Sequence, residues 1–464
     1  MRHMLENPPM QTDPDGLSVS IAEALNQGCI CLTLDAASLQ EKLEHDPSLK
    51  GLYSGMALSH PHLFSRSAVF LSKATCQAIA DAVSAIERVM ALPFYQAKAL
   101  ENAPAIAQPS FGPLGAFMGY DFHVEVGQHM TSTPQLIEVN TNAGGALLNA
   151  ALARAHRACC EPMGWAMESR TRLEALEQTF FGMFMNEWHL QRGTAVLRSV
   201  AIVDDHPQTQ YLAPEFALCR QMFAQRGVQA IITDPRELSW RGGRLWHGNT
   251  PIDMVYNRLT DFDLSEPAHQ ALHDAYLAGA VVVTPHPHAH ALRANKRNLV
   301  MLCDDALLSS WGVDAADRQC LGEVVPATEL VTRAHADALW ARRRQLFFKP
   351  VAGYAGKAAY RGDKLTRRVW DEILAGEFIA QKLVLPGIRR VDVGGVATDL
   401  KFDVRAYSYD GKIQLLAART YNGQTTNFRT AGGGFSPVMI VPRIDLTTAQ
   451  QAALMQSSNI CPAC

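Results

Sequence analysis

Apolar residues recur at three- and four-residue spacing in two early stretches, SVSIAEALNQG and CQAIADAVSAIERVMALP, and this spacing predicts helices. Residues from about 17 to 110 are therefore predicted to be mainly helical. Two apolar strands follow, GAFMGYDFHVEVG and PQLIEVN, with the polar turn HMTSTP between them. A segment rich in Ala, Leu, Glu and Met then predicts a long helical stretch over roughly 146–192.

From residue 197 onward, strands and helices alternate. The strands lie in LRSVAIVDD, VQAIIT, PIDMVYNRL and VVVTP, and the helices are APEFALCRQMFAQRG and EPAHQALHDAYLAG. This alternation predicts a parallel α/β layer. Right-handed crossovers would bring the loops after IVDD and YNRL to one edge of the sheet, where ligands usually bind.

The last third of the chain is predicted to be rich in strands. QLFFKPVAGYAGKAAYRG is typical of a strand, a glycine loop and a second strand, and EFIAQKLV is a further strand. DLKFDVRAYSYDGKIQLLAARTY is predicted to be a hairpin that turns at Asp410-Gly411, and TNFRTAGGGFSPV closes the set. The fold class is therefore predicted to be α/β.

Composition limits the function classes. A chain of 464 residues predicts two or three domains, and 48% hydrophobic residues, 19% charged residues and a net charge of −3 are typical of a globular protein. No basic field indicates nucleic acid, and no apolar stretch of about 18 residues indicates a membrane span. The start, MRHMLENPPMQTDPDG, lacks an apolar secretory segment, so we expect a cytoplasmic protein.

Ten cysteines are scattered along the chain, which favours reduced thiols over a disulfide framework. The sequence ends in CPAC, whose two thiols alone would make a poor zinc site.

The segment LIEVNTNAGG contains the clearest candidate metal ligands. Glu138 and Asn140 point the same way on an extended strand, because side chains alternate between the two faces. Hard oxygen ligands beside a flexible turn are suited to Mg²⁺.

Two further motifs indicate phosphate binding. Lys349 ends a buried strand before a loop that contains Gly353 and Gly356, so a charge and exposed backbone N–H groups are available to phosphate oxygens. A glycine hairpin with a solvated lysine would explain the same pattern. Arg405 and Arg429, expected on strands beside another glycine cluster, add guanidinium forks that suit phosphate, although surface arginines are the alternative.

Together these motifs resemble the ATP-grasp ligases. FFKPVAGYAGKAAY, EFIAQKLV, DVRAY and NFRTAGGG occur in the family order, but GYDFHV…LIEVNTNAGG precedes them at 119–145. That order resembles the circularly permuted arrangement of eukaryotic-type glutathione synthetases and some bacterial relatives, and it covers roughly 110–440. The layer from SVAIVDD to VYNRL resembles their substrate domain, and LRANKRNLVML resembles the lysine-bearing entry to the ATP module.

The resemblance implies a set of site residues. Asp121, Glu138 and Asn140 would hold Mg²⁺, and Arg405 and Arg429 would steady the transferred phosphoryl group. ATP would be held by residues of the glycine loop, the 379–383 hinge and nearby positions: Lys296, Lys349, Gly353, Gly356, Ala380, Gln381, Lys382 and Asn427.

Candidate substrate residues lie beside these motifs and at the predicted end of a strand, where Arg258 could clamp a carboxylate or pair with Asp261 or Asp263. They are Asn142, Gly144, Gly145, Asn257, Arg258 and Gly433. His286, His288 and His290 occupy alternate positions among prolines, which favours a solvated loop over a metal site.

The implied architecture is an ATP-grasp module with an inserted α/β domain. The regions are a helical 1–110, the metal-binding strands and a long helical stretch at 111–192, a substrate domain at 193–290, a nucleotide-binding core at 291–445 and a tail at 446–464.

The implied reaction joins a small-molecule carboxylate to an amine, with ATP and Mg²⁺, through an acyl phosphate. An ATP-grasp kinase and a nucleotide-binding regulatory module without turnover are the alternatives. We expect no nucleic acid or membrane partner, and a homodimer is left open.

Overall fold

The computed structural model describes residues 14–124, 133–159, 164, 170–353 and 358–441. Its helices in chain order are α1 Pro14–Gly28, α2 Ala36–Leu43, α3 Leu52–Ser59, α4 Lys73–Met90, α5 Pro93–Leu100, α6 Ala146–Ala155, α7 Arg170–Arg192, α8 Ala213–Ala224, α9 Gln270–Leu277, α10 Pro287–Arg293, α11 Asn298–Leu302, α12 Asp305–Ser310, α13 Ala315–Val324, α14 Ala336–Arg342 and α15 Arg367–Ala375.

The strands in chain order are β1 Val69–Ser72, β2 Met118–His123, β3 Gln135–Asn140, β4 Ser199–Val203, β5 Gln229–Thr233, β6 Leu238–Arg241, β7 Arg244–His247, β8 Thr250–Ile252, β9 Met254–Asn257, β10 Val282–Thr284, β11 Thr328–Leu330, β12 Leu346–Pro350, β13 Tyr360–Arg361, β14 Phe378–Lys382, β15 Gly387–Val393, β16 Val396–Tyr409, β17 Lys412–Tyr421 and β18 Gly434–Val441.

The largest sheet combines early and late strands of the chain. Its order is β1-β18-β17-β16-β2-β3, with β15 also paired to β16. β1 runs parallel to β18, and β2 is antiparallel to β16 with Asp121 opposite Arg405. The permuted motif order predicts that the strand of Glu138 and Asn140 lies beside the strands of Arg405 and Arg429. The strand of Glu138 does share the main sheet with the strand of Arg405, with β2 between them, but Arg429 is not on a strand, so that part of the prediction is wrong.

Side chains of the main sheet alternate between its two faces, and each face packs against helices. Val404 and Ala406 of β16 pack with α4 in one core, whereas Tyr407 packs with α6 and α7 in another. Asp403 and Arg405 share the second face with Tyr407 by the two-residue period of a strand. The functional side chains of β16 are thereby directed away from the α4 core.

A β-bulge shapes the pairing of β2 with β3. Asp121 lies opposite Glu138, but Phe122 lies opposite Leu136, so Ile137 is the extra residue. Bulges re-aim neighbouring side chains. Here the bulge lets both Leu136 and Val139 enter the α4 core while Glu138 stays on the other face, half-buried.

The predicted parallel layer is confirmed. Its strand order is β10-β9-β4-β5, and every pairing in it is parallel. Asp204 follows β4 directly and Arg258 follows β9, so both side chains lie at the carboxyl edge of this sheet.

The strands predicted around the glycine loop form a separate antiparallel sheet, β11-β14-β12-β13. The hairpin of β16 and β17 turns at Asp410 and Gly411, whose φ angles of 51° and 68° suit a two-residue turn, as predicted. The structure also contains a three-stranded meander, β6-β7-β8, whose first turn lies at Gly242 and Gly243. The sequence analysis did not predict these three strands.

Several sequence-based expectations are corrected. The helical stretch at 146–192 is interrupted, because α6 ends at Ala155 and His156 forms a bridge with Leu34. The helical region 1–110 also contributes β1 to the main sheet, and the domain limits stay a prediction. Cys31 is disulfide-bonded, so the expectation of ten reduced thiols is wrong at that residue. The terminal CPAC lies outside the described residues.

No helix in the described ranges combines the length and apolar character needed to cross a membrane.

Gly362, just after β13, is predicted to tolerate no side chain. A Cβ there would lie 1.8 Å from the carbonyl oxygen of Arg343. Gly362→Ala should therefore lower the free energy of unfolding by about 1–3 kcal/mol, the usual cost of overpacking. Gly322→Ala in α13 is the control, because its Cβ meets nothing within 4 Å. Urea titration should show equal or higher stability for that variant, and equal stability of Gly362→Ala would contradict the packing described here.

Candidate functional site

A cleft of about 550 Å³ lies where the main sheet, the β11–β14 sheet and the carboxyl edge of the parallel sheet meet. Acidic, amide and basic side chains line its centre, and aromatic rings line the end near the parallel sheet. The lining residues include Glu138, Asn140, Asn142, Gly144, Asp204, Tyr211, Arg258, Phe262, Lys296, Lys349, Gly353, Gln381, Lys382, Arg405, Arg419, Asn427, Phe428 and Phe435.

Asp121 forms the centre of a buried ion network under the cleft. Its carboxylate, which has no exposed surface, accepts hydrogen bonds from Arg405 Nε and Nη2 at 2.6 Å each and from Arg419 Nη2 at 2.8 Å. Arg419 Nε also donates to Asp403 at 2.7 Å. Four charges from β2, β16 and β17 are thus fixed in one arrangement.

This network of hydrogen bonds controls the ionisation of Asp121 and the contacts that its carboxylate can make. Burial alone raises its pKa, but Arg405 and Arg419 outweigh burial and hold the pKa well below its usual range. Both carboxylate oxygens already accept guanidinium N–H groups. The metal-ligand role that the resemblance implies for Asp121 therefore does not fit this arrangement, in which the residue positions two arginines.

Glu138 and Asn140 are the oxygen donors that face the cleft. Asn140 Nδ2 donates to Asp121 Oδ2 at 3.1 Å and to Glu138 Oε1 at 3.2 Å. Glu138 Oε2 lies 4.0 Å from Lys296 Nζ, and its side chain is 29% exposed. A partly exposed carboxylate beside an amide is a donor set that fits Mg²⁺.

Lys349 is held by neutral acceptors. Its Nζ donates to the carbonyl of the bulge residue Ile137 at 2.5 Å and to Gln381 Oε1 at 2.8 Å. Burial lowers its pKa to about 8, and Glu138 partly opposes this shift. Lys296 Nζ likewise donates to the carbonyl of Gly353 at 2.7 Å. The two ammonium groups therefore retain charge that an anionic ligand can neutralise.

The predicted hinge is only partly open to a nucleotide. β14 is a central strand, and the N–H groups of Lys382 and Leu383 already donate to Ala327 and Gln345. These two N–H groups therefore already have acceptors, and contact of the hinge with adenine stays a prediction. Ala380 is buried within the sheet, and Gly356 lies outside the described residues.

Arg258 lies at the other end of the cleft with few partners. Its Nη1 donates to Tyr256 OH at 3.3 Å, whereas its buried Nε has no partner among the described residues. The predicted alternative, pairing with Asp261 or Asp263, is not observed in the described part of the chain. Burial raises the pKa of Asp204 to about 7, and Arg258 opposes that shift.

The loops around Arg258 are tied together by a buried histidine. His269 Nδ1 lies 2.7 Å from Asp261 Oδ2, and Nε2 lies 3.2 Å from Asp205 Oδ1. Burial alone lowers its pKa, but the hydrogen bonds to Asp261 and Asp205 outweigh burial and raise it. The imidazole thus joins the loop after β4 to the loop after β9.

Other predicted site residues have structural roles. Arg429 is exposed on a loop, not on a strand, and lies outside the cleft lining. The side-chain amide of Asn427 forms hydrogen bonds within that loop: Nδ2 donates to Asn422 O, and Oδ1 accepts from the Arg429 N–H. Gly433 also does not line the cleft, and a Cβ there would lie 2.5 Å from Thr420 O.

The glycine turn after β3 fits its surroundings closely. Gly145 begins α6 with φ 97°, and a Cβ there would lie 2.3 Å from the Phe435 ring, so it is a packing residue outside the lining. Gly144 lines the cleft, and a Cβ there would lie 2.7 Å from Arg258 Nη2. Asn142 Nδ2 donates to the carbonyl of Arg258 at 2.7 Å, and Asn257 Nδ2 donates to Pro285 O at 3.3 Å. The side-chain amides of these two asparagines therefore hold neighbouring backbone segments in place.

The three alternating histidines are not in a solvated loop. His286 caps α10 and is buried, His288 contacts the carbonyl of Ala107 at 2.7 Å, and His290 stacks on Phe262 at 3.8 Å. Each ring has a different partner, and within the described ranges they form no shared metal cluster.

Arg419, Asp403, Asp204 and Glu215 were missed from the sequence. Burial raises the pKa of Glu215 to about 7, and its Oε1 accepts the N–H of Leu147 near the start of α6. Counting residues back from the hairpin turn does not identify Arg419, because a register shift between Tyr407 and Ser408 intervenes and regular pairing would put Ala418 opposite Asp403.

No family model and no curated protein matches the sequence. Among solved structures, the chain is similar to glutathione synthetase-like and ATP-grasp proteins, the class that the sequence motifs resemble.

One of these is a glutathione synthetase-like effector (GSS30) from Globodera pallida in the apo form, with 12% identity, coverage of 88% of this chain and 99% of that one, and a TM-score of 0.49. A gamma-glutamylcysteine synthetase-like protein from Methylobacillus flagellatus KT has 11% identity, coverage of 77% and 84%, and a TM-score of 0.43. ATP-grasp ligase PsnB, complexed with minimal precursor, Mg and ADP, has 15% identity, coverage of 55% and 97%, and a TM-score of 0.28. The TM-scores of these three structures are all below 0.5, and their identities of 11–15% carry no assignment of function to this chain.

Asp121→Asn should destabilise the fold strongly, because it leaves two buried guanidinium groups short of an anion. The expected loss is about 3–5 kcal/mol of unfolding free energy at pH 7. Since the folded-state pKa of Asp121 is depressed, its contribution is complete above the unfolded pKa near 4 and shrinks as the pH falls below it. Denaturant titrations at pH 7 and pH 3 should therefore show a smaller difference from wild type at pH 3.

The matched control is Asp399→Asn, which removes an exposed pair with Arg390 on the same sheet. That variant should change stability by less than about 1 kcal/mol. Equal effects of the two substitutions would contradict the central role of Asp121.

Proposed function

We propose that the protein is an ATP- and Mg²⁺-dependent ligase that joins a carboxylate to an amine. The observation that carries this proposal is the single cleft that unites a cleft-facing Glu138–Asn140 pair, two ammonium groups and two fixed guanidinium groups. Its far end adds Arg258, whose buried Nε has no partner among the described residues, for the substrate.

The residues divide the cleft into a phosphate end and a substrate end. Lys296 and Lys349 would bind the phosphates of ATP, and Arg405 and Arg419 would stabilise charge on the transferred phosphoryl group. Glu138 and Asn140 would hold Mg²⁺, which supplies charge shielding between phosphate oxygens when bound. Arg258 would orient a carboxylate of the substrate by a bidentate contact.

The proposed reaction needs no protein nucleophile. A substrate carboxylate oxygen attacks the γ-phosphorus of ATP, giving an acyl phosphate and ADP. An amine then attacks the acyl carbon, orthophosphate leaves, and the amine gives up a proton. The protein contributes positioning and fixed charges, which supply most of the catalysis in phosphoryl transfer.

Product analysis tests this reaction. The protein is incubated with Mg²⁺-ATP and a library of amino acids, dipeptides and polyamines, and we expect ADP and orthophosphate in equal amounts. Hydroxylamine should trap a hydroxamate if an acyl phosphate forms. A phosphorylated product without a hydroxamate would indicate a kinase, AMP with pyrophosphate would indicate adenylation, and absent turnover with intact ATP binding would indicate a regulatory module. Each of these three outcomes overturns the ligase proposal.

Glu138→Gln should abolish Mg²⁺-dependent turnover while the fold is retained. The change replaces an anionic oxygen ligand by a neutral one of the same shape, which weakens a site for a hard cation. ADP release is measured as a function of Mg²⁺ concentration. Glu372→Gln, which alters an exposed carboxylate on α15, should leave the rate unchanged. Wild-type rates for Glu138→Gln at low Mg²⁺ would refute the role of Glu138.

Lys349→Met should weaken ATP binding about ten-fold or more, because a charge-assisted hydrogen bond contributes roughly 1.5–3 kcal/mol. Phosphate binds the protonated amine, whose pKa in the free protein is about 8. Wild-type affinity should therefore fall as the pH rises through 8, and the variant should lack this component. Nucleotide titration by calorimetry measures both effects, with exposed Lys364→Met as the control. An unchanged affinity of Lys349→Met would remove Lys349 from the ATP site.

A further inference from the structure

The end of the cleft beside the parallel sheet contains two opposite charges that do not pair with each other. Arg258 and Asp204 both line the cleft, and they are 7% and 8% exposed. Arg258 lies close enough to oppose the rise in the pKa of Asp204, yet within the described ranges no ion pair joins the two side chains. A ligand that carries both signs of charge is therefore suited to this end of the cleft.

The hydrogen bonds of both groups leave them short of partners. Among the described residues, the Arg258 side chain donates one hydrogen bond, from Nη1 to Tyr256 OH at 3.3 Å, and its Nε donates none. Asp204 Oδ1 accepts the backbone N–H of Asp205 at 2.9 Å. Buried charged groups are costly unless they are paired and hydrogen-bonded. A ligand that brings a carboxylate to Arg258 and a cation to Asp204 would reduce both costs.

Aromatic rings line the same end of the cleft in two stacked pairs. Tyr211 stacks on Phe428 with ring centroids 5.4 Å apart, and Phe262 stacks on His290 with centroids 3.8 Å apart and 7° between the ring planes. Burial lowers the pKa of His290 to about 3, so this imidazole is neutral near pH 7. Both pairs present flat, uncharged rings, against which another aromatic group packs well.

The turn after β3 connects the charged groups to the aromatic pairs. A Cβ at Gly144 would lie 2.7 Å from Arg258 Nη2 and 2.4 Å from the side chain of Leu212, which follows the first aromatic residue in the chain. Earlier in the same turn, Thr141 Oγ1 lies 2.9 Å from His290 Nδ1. The turn therefore contacts the arginine and both aromatic regions, so that the charges and the rings form one subsite.

We propose that this subsite binds the zwitterion of an α-amino acid with an aromatic side chain. The carboxylate contacts Arg258, the ammonium contacts Asp204, and the ring packs against the aromatic lining. An α-amino acid carries both charges on one carbon, so it can bridge neighbouring groups of opposite sign. A dicarboxylate would instead place an anion beside Asp204, and a simple amine would leave Arg258 without an anion. The inference rests on the proposed function in one respect, because the bound amino acid would be the amine that the ligase joins.

Equilibrium binding to the full chain tests the proposal without turnover. L-phenylalanine, 3-phenylpropanoate, 2-phenylethylamine and L-alanine are titrated by calorimetry at about pH 8, where Asp204 is mostly ionised. Each titration is repeated with Mg²⁺ and a non-hydrolysable ATP analogue. L-phenylalanine should bind at least ten-fold more tightly than each analogue, because each analogue lacks one charge or the ring. Equal affinity for any analogue, or no binding of L-phenylalanine in either state, overturns the proposal.

Single substitutions assign the two charges. Asp204→Asn should lower the affinity for L-phenylalanine at least ten-fold without weakening the binding of 3-phenylpropanoate, which has no ammonium. Arg258→Met should weaken the binding of both ligands but not that of 2-phenylethylamine. The control is Asp263→Asn, at an exposed carboxyl on the loop after β9 that does not line the cleft, and it should bind like wild type. Equal losses of L-phenylalanine affinity in Asp204→Asn and Asp263→Asn would overturn the role of Asp204.

These binding measurements separate the subsite from the proposed reaction. If L-phenylalanine binds as described but no amine supports ADP release, the ligase proposal is wrong and the subsite stands. If other amines support ADP release but L-phenylalanine does not bind, the subsite proposal is wrong and the ligase proposal stands.

Discussion

The hydrogen-bonded attraction between Asp121 and two arginines is the interaction on which the cleft depends. It joins β2 to β16 and β17 at the point where the early and late parts of the chain form one sheet. Buried ion pairs rarely stabilise a fold more than apolar packing would. Their value here is that they fix positions: the carboxylate of Asp121 holds Arg405 and Arg419, whose side chains are 11% and 12% exposed, in one orientation. Preorganised charge of this kind needs no rearrangement when negative charge develops.

Two lysines elsewhere in the cleft are also held in fixed positions, but their hydrogen-bond acceptors are neutral oxygens instead of carboxylates. Lys296 and Lys349 are held by carbonyl and amide oxygens, which fix their direction without cancelling their charge. Glu138 is the carboxylate left facing the ammonium groups. Six lysine and arginine side chains line the cleft against two carboxylates, and an excess of one sign of charge raises the local concentration of the opposite ion. This excess is consistent with the proposed binding of a polyanion. The bulge at Ile137 contributes in two ways: it turns Glu138 toward the cleft, and its carbonyl accepts a hydrogen bond from Lys349.

Periodicity was sufficient to predict many of the elements, although not β1 or the meander β6-β7-β8, and it did not predict the contacts between elements. The parallel layer, the hairpin at Asp410-Gly411 and the strand of Lys349 follow local rules that a sequence displays. The partners of Asp121 depend on two register irregularities, at Ile137 and between Tyr407 and Ser408, and irregular pairing leaves no periodic signal. Arg429 was chosen because it lies beside glycines, whereas Arg419 lies in an ordinary strand. The burial that shifts the pKa of Asp204 is a tertiary property, so no local pattern could reveal it.

The main sheet pairs strands from distant parts of the sequence, and this pairing constrains how the protein folds during synthesis. Val69 pairs with Val438, and Asp121 pairs with Arg405, so three of the seven strands are synthesised long before their partners. During translation the early strands carry unpaired edges and a carboxylate that has no cation, whereas the parallel layer can close from neighbouring segments. Such long-range pairings form slowly and expose aggregation-prone edges in the interval. The protein is therefore expected to depend on chaperone protection late in synthesis, and a chain stopped before β16 would contain a folded parallel layer attached to an incomplete sheet.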